Sequence, residues 1–110
     1  GYAKGINFET NKAVILASSN KNLDELVKIL TQYPDANVEV QGHTDNVGDA
    51  VANKQLSQER ADAVKAYLVS KGVNADKLKS IGYGQEMPIS DNSTAKGREN
   101  NRRVDFILTY

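Results

Sequence analysis

Residues 37–42, Asn-Val-Glu-Val-Gln-Gly, alternate between apolar and polar side chains. Val38 and Val40 face one way and Glu39 and Gln41 the other, which describes a strand covered on one face only. The chain closes on the same pattern: Val104, Phe106 and Leu108 alternate with Asp105, Ile107 and Thr109. Such a sheet needs an apolar layer on one side, and two segments of helical period can supply it. In the first, Leu23, Leu26, Val27, Leu30 and Tyr33 share a face. Ser18, Ser19 and Asn20 are its candidate caps, Asp24 and Glu25 fall in its first turn, and Pro34 ends it.

The second helical segment is predicted from about Gln58 to Lys71, with Ser57 as N-cap and Gly72 at its end. Its apolar stripe is Ala61, Val64 and Leu68, with Tyr67 alongside. A β-prone piece around Ile6–Phe8 precedes the first helix. Residues 74–78 can add one helical turn, and Lys-Ser-Ile-Gly-Tyr-Gly (79–84) is a short strand. Residues 85–101, carrying Pro88 and Gly97, are expected to form a polar loop. The predicted order is β-α-β-α-β-β, an α/β (α+β) two-layer sandwich with helices on one sheet face.

At 110 residues the chain has the length of one domain. Fourteen acidic and fourteen basic side chains balance, so no net field draws it to nucleic acid or to anionic lipid. No apolar stretch approaches the roughly 20 residues of a membrane span. Cysteine is absent, which excludes thiolate catalysis, disulfides and sulfur-ligated metal. The start at Gly1-Tyr2, without methionine, reads as a piece excised from a longer protein.

Few residues suggest chemistry. His43-Thr44-Asp45 offers one histidine and one acid, but no nucleophile is placed against them, and a strand-end histidine fixing a turn is the simpler account. Those two residues would supply only half of a metal site, so neither a metal nor a cofactor is expected. Asn92-Ser93-Thr94 matches a glycosylation sequon but sits in an ordinary loop pattern. Arg98, Arg102 and Arg103 lie among acids with few stacking aromatics, which reads as a solvated loop and strand entrance rather than a nucleic-acid surface.

Asp45 and Arg60 are more informative. With Ser57 as cap, Arg60 falls in the helix's first turn, where a cation adds to the positive end of the dipole. Rules of this kind break most often at functional sites. An arginine beside free helix N–H groups suits a carboxylate, and Asp45 after the preceding strand suits an ammonium. Side by side they would receive a zwitterion. A direct Asp45–Arg60 ion pair explains the same spacing equally well.

The segment from Gly42 to Val73 resembles the signature of the OmpA-like domain, a peptidoglycan-binding module of bacterial outer-membrane proteins, peptidoglycan-associated lipoproteins and flagellar stator proteins. Gly42, His43, Thr44, Asp45, Gly48, Asn53, Leu56, Ser57, Arg60 and Ala61 match in one register. Residues 6–16 are similar to the family's opening strand. Residues 81–106, with Asn101-Arg102-Arg103-Val104, are similar to its closing section.

The resemblance implies a small mixed four-stranded sheet covered by helices. It implies a noncovalent binder of cell-wall peptidoglycan, with no catalytic residue, working in the periplasm and attached to the outer membrane through a missing N-terminal region. The ligand would be the diaminopimelate of the stem peptide. Asp45 would meet its amine and Arg60 its carboxylate. Asn53, Thr44 and Leu56 would line the pocket, with Phe8 and Thr10 after the first strand. Arg103 is a further carry-over that could equally tie the last strand to the loop. Two alternatives remain: a module that holds other periplasmic proteins, and a wall-processing enzyme using His43 and Asp45. The latter lacks an acid pair for glycan cleavage and a nucleophile or metal set for peptide cleavage.

Overall fold

The alternating Val38–Val40 segment becomes the central strand of the sheet, β2 (Asn37–His43). The fold is a computed structural model describing residues 2, 3 and 6–109, with side chains from Ile6 onward. β2 runs parallel to β3 (Leu78–Gly84) and antiparallel to β4 (Arg103–Thr109). β1 (Tyr2–Ala3) adds a two-residue antiparallel edge beside β4, giving the order β1-β4-β2-β3. The first strand thus lies before the segment expected for it. Phe8 makes only an isolated bridge to Ile15, closing a hairpin-like loop whose turn bond runs from Lys12 N–H to the Glu9 carbonyl.

Register places the apolar side chains in rows. Val40 lies opposite Phe106, and Val38 opposite Leu108 and Leu78. Helices α1 (Asn20–Gln32) and α2 (Ala50–Ser70) cover this face. Leu23, Leu30, Val38, Val40, Ala61, Val64, Leu68, Val104 and Phe106 form one buried cluster with Ile6 and Leu78. The expected two-layer α/β architecture is the observed one.

Both helices start differently from expectation. α1 follows a 3₁₀ turn (Ala17–Ser19), so Asp24 and Glu25 fall beyond its first turn. Asp24 instead accepts a hydrogen bond from the Tyr67 hydroxyl of α2 at 2.7 Å. Ser19 occupies the cap position of α1 without capping it; its hydroxyl accepts from the Asn7 N–H.

α2 begins at Ala50, capped by Asp49, whose carboxylate accepts from the Ala52 N–H. Ser57 is therefore a buried mid-helix residue and not a cap. Its hydroxyl donates to the Lys54 carbonyl and accepts from the Gly84 N–H of β3. Such a close approach depends on Gly42 and Gly82, where a Cβ would collide with the backbone of Ser57 and Gln58 respectively.

The outer edge of β3 is closed by α2 as well. Gln58 accepts from the Gly82 N–H at 2.8 Å and donates to the Ser80 carbonyl at 3.0 Å. One side-chain amide thus makes the two bonds that a neighbouring strand would make, and an exposed sheet edge is avoided.

Residues 85–101 are more ordered than a polar loop. α3 (Ala95–Asn101) is capped by the Thr94 hydroxyl, which accepts from the Gly97 N–H. The fully buried Asn101 amide accepts from Ile89 and Ser90 N–H and donates to the Ser90 carbonyl and to Asn92 Oδ1. All four bonding positions of that amide are used, which holds the loop on the helix.

Candidate functional site

α2 presents Asn53, Leu56 and Arg60 on one side, following i, i+3, i+7 spacing. The adjoining stripe, Ser57, Ala61, Val64 and Leu68, is buried against the sheet. The half-buried side with Asn53, Leu56 and Arg60 faces the turn after β2 and the 6–16 hairpin loop. Between them lies a cleft of about 460 Å³, lined by Phe8, Thr10, Thr44, Asp45, Asn53, Leu56 and Arg60 among others. This falls within the range of about 300–1,000 Å³ usual for small-ligand sites.

Seven of the eight residues singled out from the sequence meet there. Arg103 does not. It lines a smaller recess, where its Nε donates to both oxygens of Asp105 at 3.1 Å and its Nη2 to the Met87 carbonyl. That geometry ties β4 to the 85–101 segment. Arg98 and Arg102 are also engaged rather than merely solvated. Arg98 donates to the Asn92 carbonyl, and Arg102 donates to Asp45.

Asp45 does not pair with Arg60. Its Oδ1 accepts from the Val47 N–H at 3.0 Å, and its Oδ2 accepts from Arg102 Nη1 at 2.7 Å. The carboxylate is buried, whereas the Arg102 side chain is 48% exposed. Asn53 steadies the turn by donating to the Val47 carbonyl. Thr44 is fixed by its N–H on the Gly84 carbonyl and its hydroxyl on the Asp45 carbonyl.

Arg60 lies well inside α2, so no free helix-end N–H groups stand beside it, contrary to the expectation built on Ser57. Its position is set by the hairpin loop. Nε donates to the Lys12 carbonyl at 2.9 Å, Nη2 to the Glu9 carbonyl at 3.4 Å, and the guanidinium stacks 4.9 Å over the Phe8 ring. Asn11 takes a positive φ of 58° in that turn, a conformation asparagine tolerates better than most residues. Burial, followed by the Arg102 charge, lowers the Arg60 pKa from its ordinary value. A guanidinium has five N–H donors, and two are committed here. Among the described residues Nη1 has no partner, so Nη1 and one N–H of Nη2 stay uncommitted on a side chain that lines the cleft.

The cleft therefore offers a buried carboxylate and an oriented guanidinium, each held by other groups and neither neutralised by the other. Sequence reasoning missed Arg102, Glu99, Ile6, Asn7, Asn11 and Val47 as lining residues. The pairing of Arg102 with Asp45 had no local signal, because the two are brought together only by the β2–β4 pairing.

Comparison with known proteins bears on the same region. The OmpA family model matches residues 7–102. The chain is 43% identical over 100 residues to outer membrane porin F of Pseudomonas fluorescens, covering 91% of this chain and 31% of that protein. It is 37% identical over 103 residues to the peptidoglycan-binding protein ArfA of Mycobacterium bovis, covering 94% of this chain and 32% of that one. The chain thus spans about a third of the length of these two relatives. The peptidoglycan-associated lipoprotein of Burkholderia pseudomallei superimposes with a TM-score of 0.83 at 25% identity, over 98% of this chain and 87% of that one. The chain belongs to the OmpA family.

Proposed function

We propose that this domain binds peptidoglycan without altering it, and thereby anchors the outer membrane or an envelope complex to the wall from the periplasmic side. The ligand is the free end of a diaminopimelate side chain in the stem peptide. Its ammonium meets Asp45, and its carboxylate meets the Nη1–Nη2 fork of Arg60. Thr44, Asn53, Leu56, Phe8 and Thr10 shape the walls, while Arg103 acts behind the site by holding β4.

One observation carries this reading: Asp45 and Arg60 line the same cleft without bonding each other, and each keeps bonding capacity, since each Asp45 oxygen accepts one bond and Arg60 commits two of its five N–H groups. Family membership and the peptidoglycan-binding relative support the wall as ligand. Charge-assisted hydrogen bonds contribute about 1.5–3 kcal/mol each, less where water competes. Two or three imply micromolar to millimolar affinity for one stem, roughly. A tethered anchor facing a polymer works in that range, because effective concentration compensates for weak single grips.

The test is co-sedimentation of the domain with purified insoluble wall. Wild type is expected in the pellet, and Asp45→Ala and Arg60→Ala in the supernatant while still folded. Sedimentation of both variants at the wild-type level would rule out this site.

A further inference from the structure

The two oxygens of Asp45 are held by partners of different kinds. Oδ1 is held by a backbone N–H, Val47, which cannot leave without unmaking the turn. Oδ2 is held by Arg102, a long side chain 48% exposed at the cleft, on a carboxylate that is only 11% exposed. The backbone of Arg102 is fixed, since its N–H bonds the Arg98 carbonyl and the preceding Asn101 is fully buried. Its side chain can therefore swing about a fixed base.

An ammonium entering the cleft competes with this guanidinium for Oδ2. A plain amine exchanges one cation for another and takes from Arg102 the acid it is paired with, on a cleft that also holds Arg60 and whose other acid, Glu99, pairs with Lys96. A ligand that also carries a carboxylate supplies a counter-charge itself. Arg102 can move from Asp45 to the incoming carboxylate, which it then shares with Arg60, so that Asp45 and Arg102 each keep an opposite charge at the end of the exchange.

We propose that Arg102 is a specificity-determining residue: it occupies Asp45 in the empty site and transfers to the ligand carboxylate, so that the cleft takes amino-acid ends and rejects simple amines. This rests on the assignment of the cleft to an amino-acid end made above. The mechanism is selection by a repulsive element, because the wrong ligand is penalised through an uncompensated charge.

The experiment titrates the domain with meso-diaminopimelate and with cadaverine, which has the same ammonium groups and no carboxylate, following backbone amide shifts at constant ionic strength. Wild type is expected to prefer diaminopimelate by about tenfold or more. In Arg102→Gln, diaminopimelate should weaken and cadaverine tighten by about fivefold each, since the broken contact is partly solvent-screened. Arg102→Lys, which keeps the charge, should preserve most of the preference. A parallel loss of both ligands in Arg102→Gln, or an unchanged ratio, would overturn the role of Arg102 while leaving the cleft assignment intact. Failure of wild type to bind diaminopimelate at all would remove the assignment and this inference together.

Discussion

Asp45 and Arg60 line one cleft, yet the carboxylate is bonded to Val47 and Arg102 and the guanidinium to Glu9 and Lys12. The two charges are positioned by other groups and not by each other: carbonyls hold Arg60 without cancelling its charge, and Asp45 is met by Arg102. Asp45→Asn keeps the Val47 turn bond but removes the charge, and should weaken diaminopimelate binding by about tenfold or more, the loss of one charge-assisted bond. Arg60→Lys should weaken it comparably, because an ammonium cannot hold the Lys12 carbonyl and present a planar fork at once. Calorimetric titration of both variants measures this, and near wild-type affinity in either would contradict the geometry.

Asn101 makes four hydrogen bonds from a fully buried amide. Asn101→Ala should cost about 2–4 kcal/mol, because two backbone N–H groups and one carbonyl lose their partner in a partly buried setting. The urea unfolding midpoint should fall accordingly, and Asn101→Asp should not restore it, since the acid supplies no donors.

Gly82 is the point where α2 rests on β3. An added Cβ would meet the Gln58 backbone and the Ser57 hydroxyl. Gly82→Ala should therefore push the helix outward and lower stability by about 1–3 kcal/mol, the usual range for overpacking. Thermal unfolding should show a clear drop. A similar change at exposed Gly72 should act through its positive φ of 100° and not through contact, since nothing lies within 4 Å of its added Cβ.

His43 is 3% exposed, stacks on Tyr83, and places Nε2 3.2 Å from Gln41 Oε1 and 3.4 Å from Asp105 Oδ2. Burial lowers its pKa from the ordinary value of 6.5, Arg103 lowers it further, and Asp105 opposes them. The unfolded chain thus binds a proton more readily than the folded one. His43 contributes its full share of stability above pH 6.5, and that share is lost as pH falls from there through its lower folded value. Chemical denaturation at pH 7.5 and pH 5 should show this decline in wild type. His43→Gln, having no proton to take up, should show a shallower one.

Much of the fold was legible because its signals are local. Val38 and Val40 on β2, and Val104, Phe106 and Leu108 on β4, carry the two-residue period. Leu23 and Leu30, with Ala61, Val64 and Leu68, carry the helical one. The start of α2 was harder to place. Ser57 fits a cap pattern as well as Asp49 does, and exposed Val47 and Val51 obscure the periodicity before it. Leu56 and Asn53 already follow that period, which is the signal that extends the helix toward Asp49. Gly97 and Pro88 made residues 85–101 resemble an open loop. The order there comes from Asn101, whose partners are many residues away.

By itself, the order of side chains determined that a half-covered sheet would be roofed by helices, and which acid and arginine stood at positions shared with a known binding motif. Only the folded chain decided their partners. Pairing of β2 with β4 carries Arg102 to Asp45, and the 6–16 loop clasps Arg60. Such contacts join residues distant along the chain, and no local pattern encodes which charge will be nearest once the strands align.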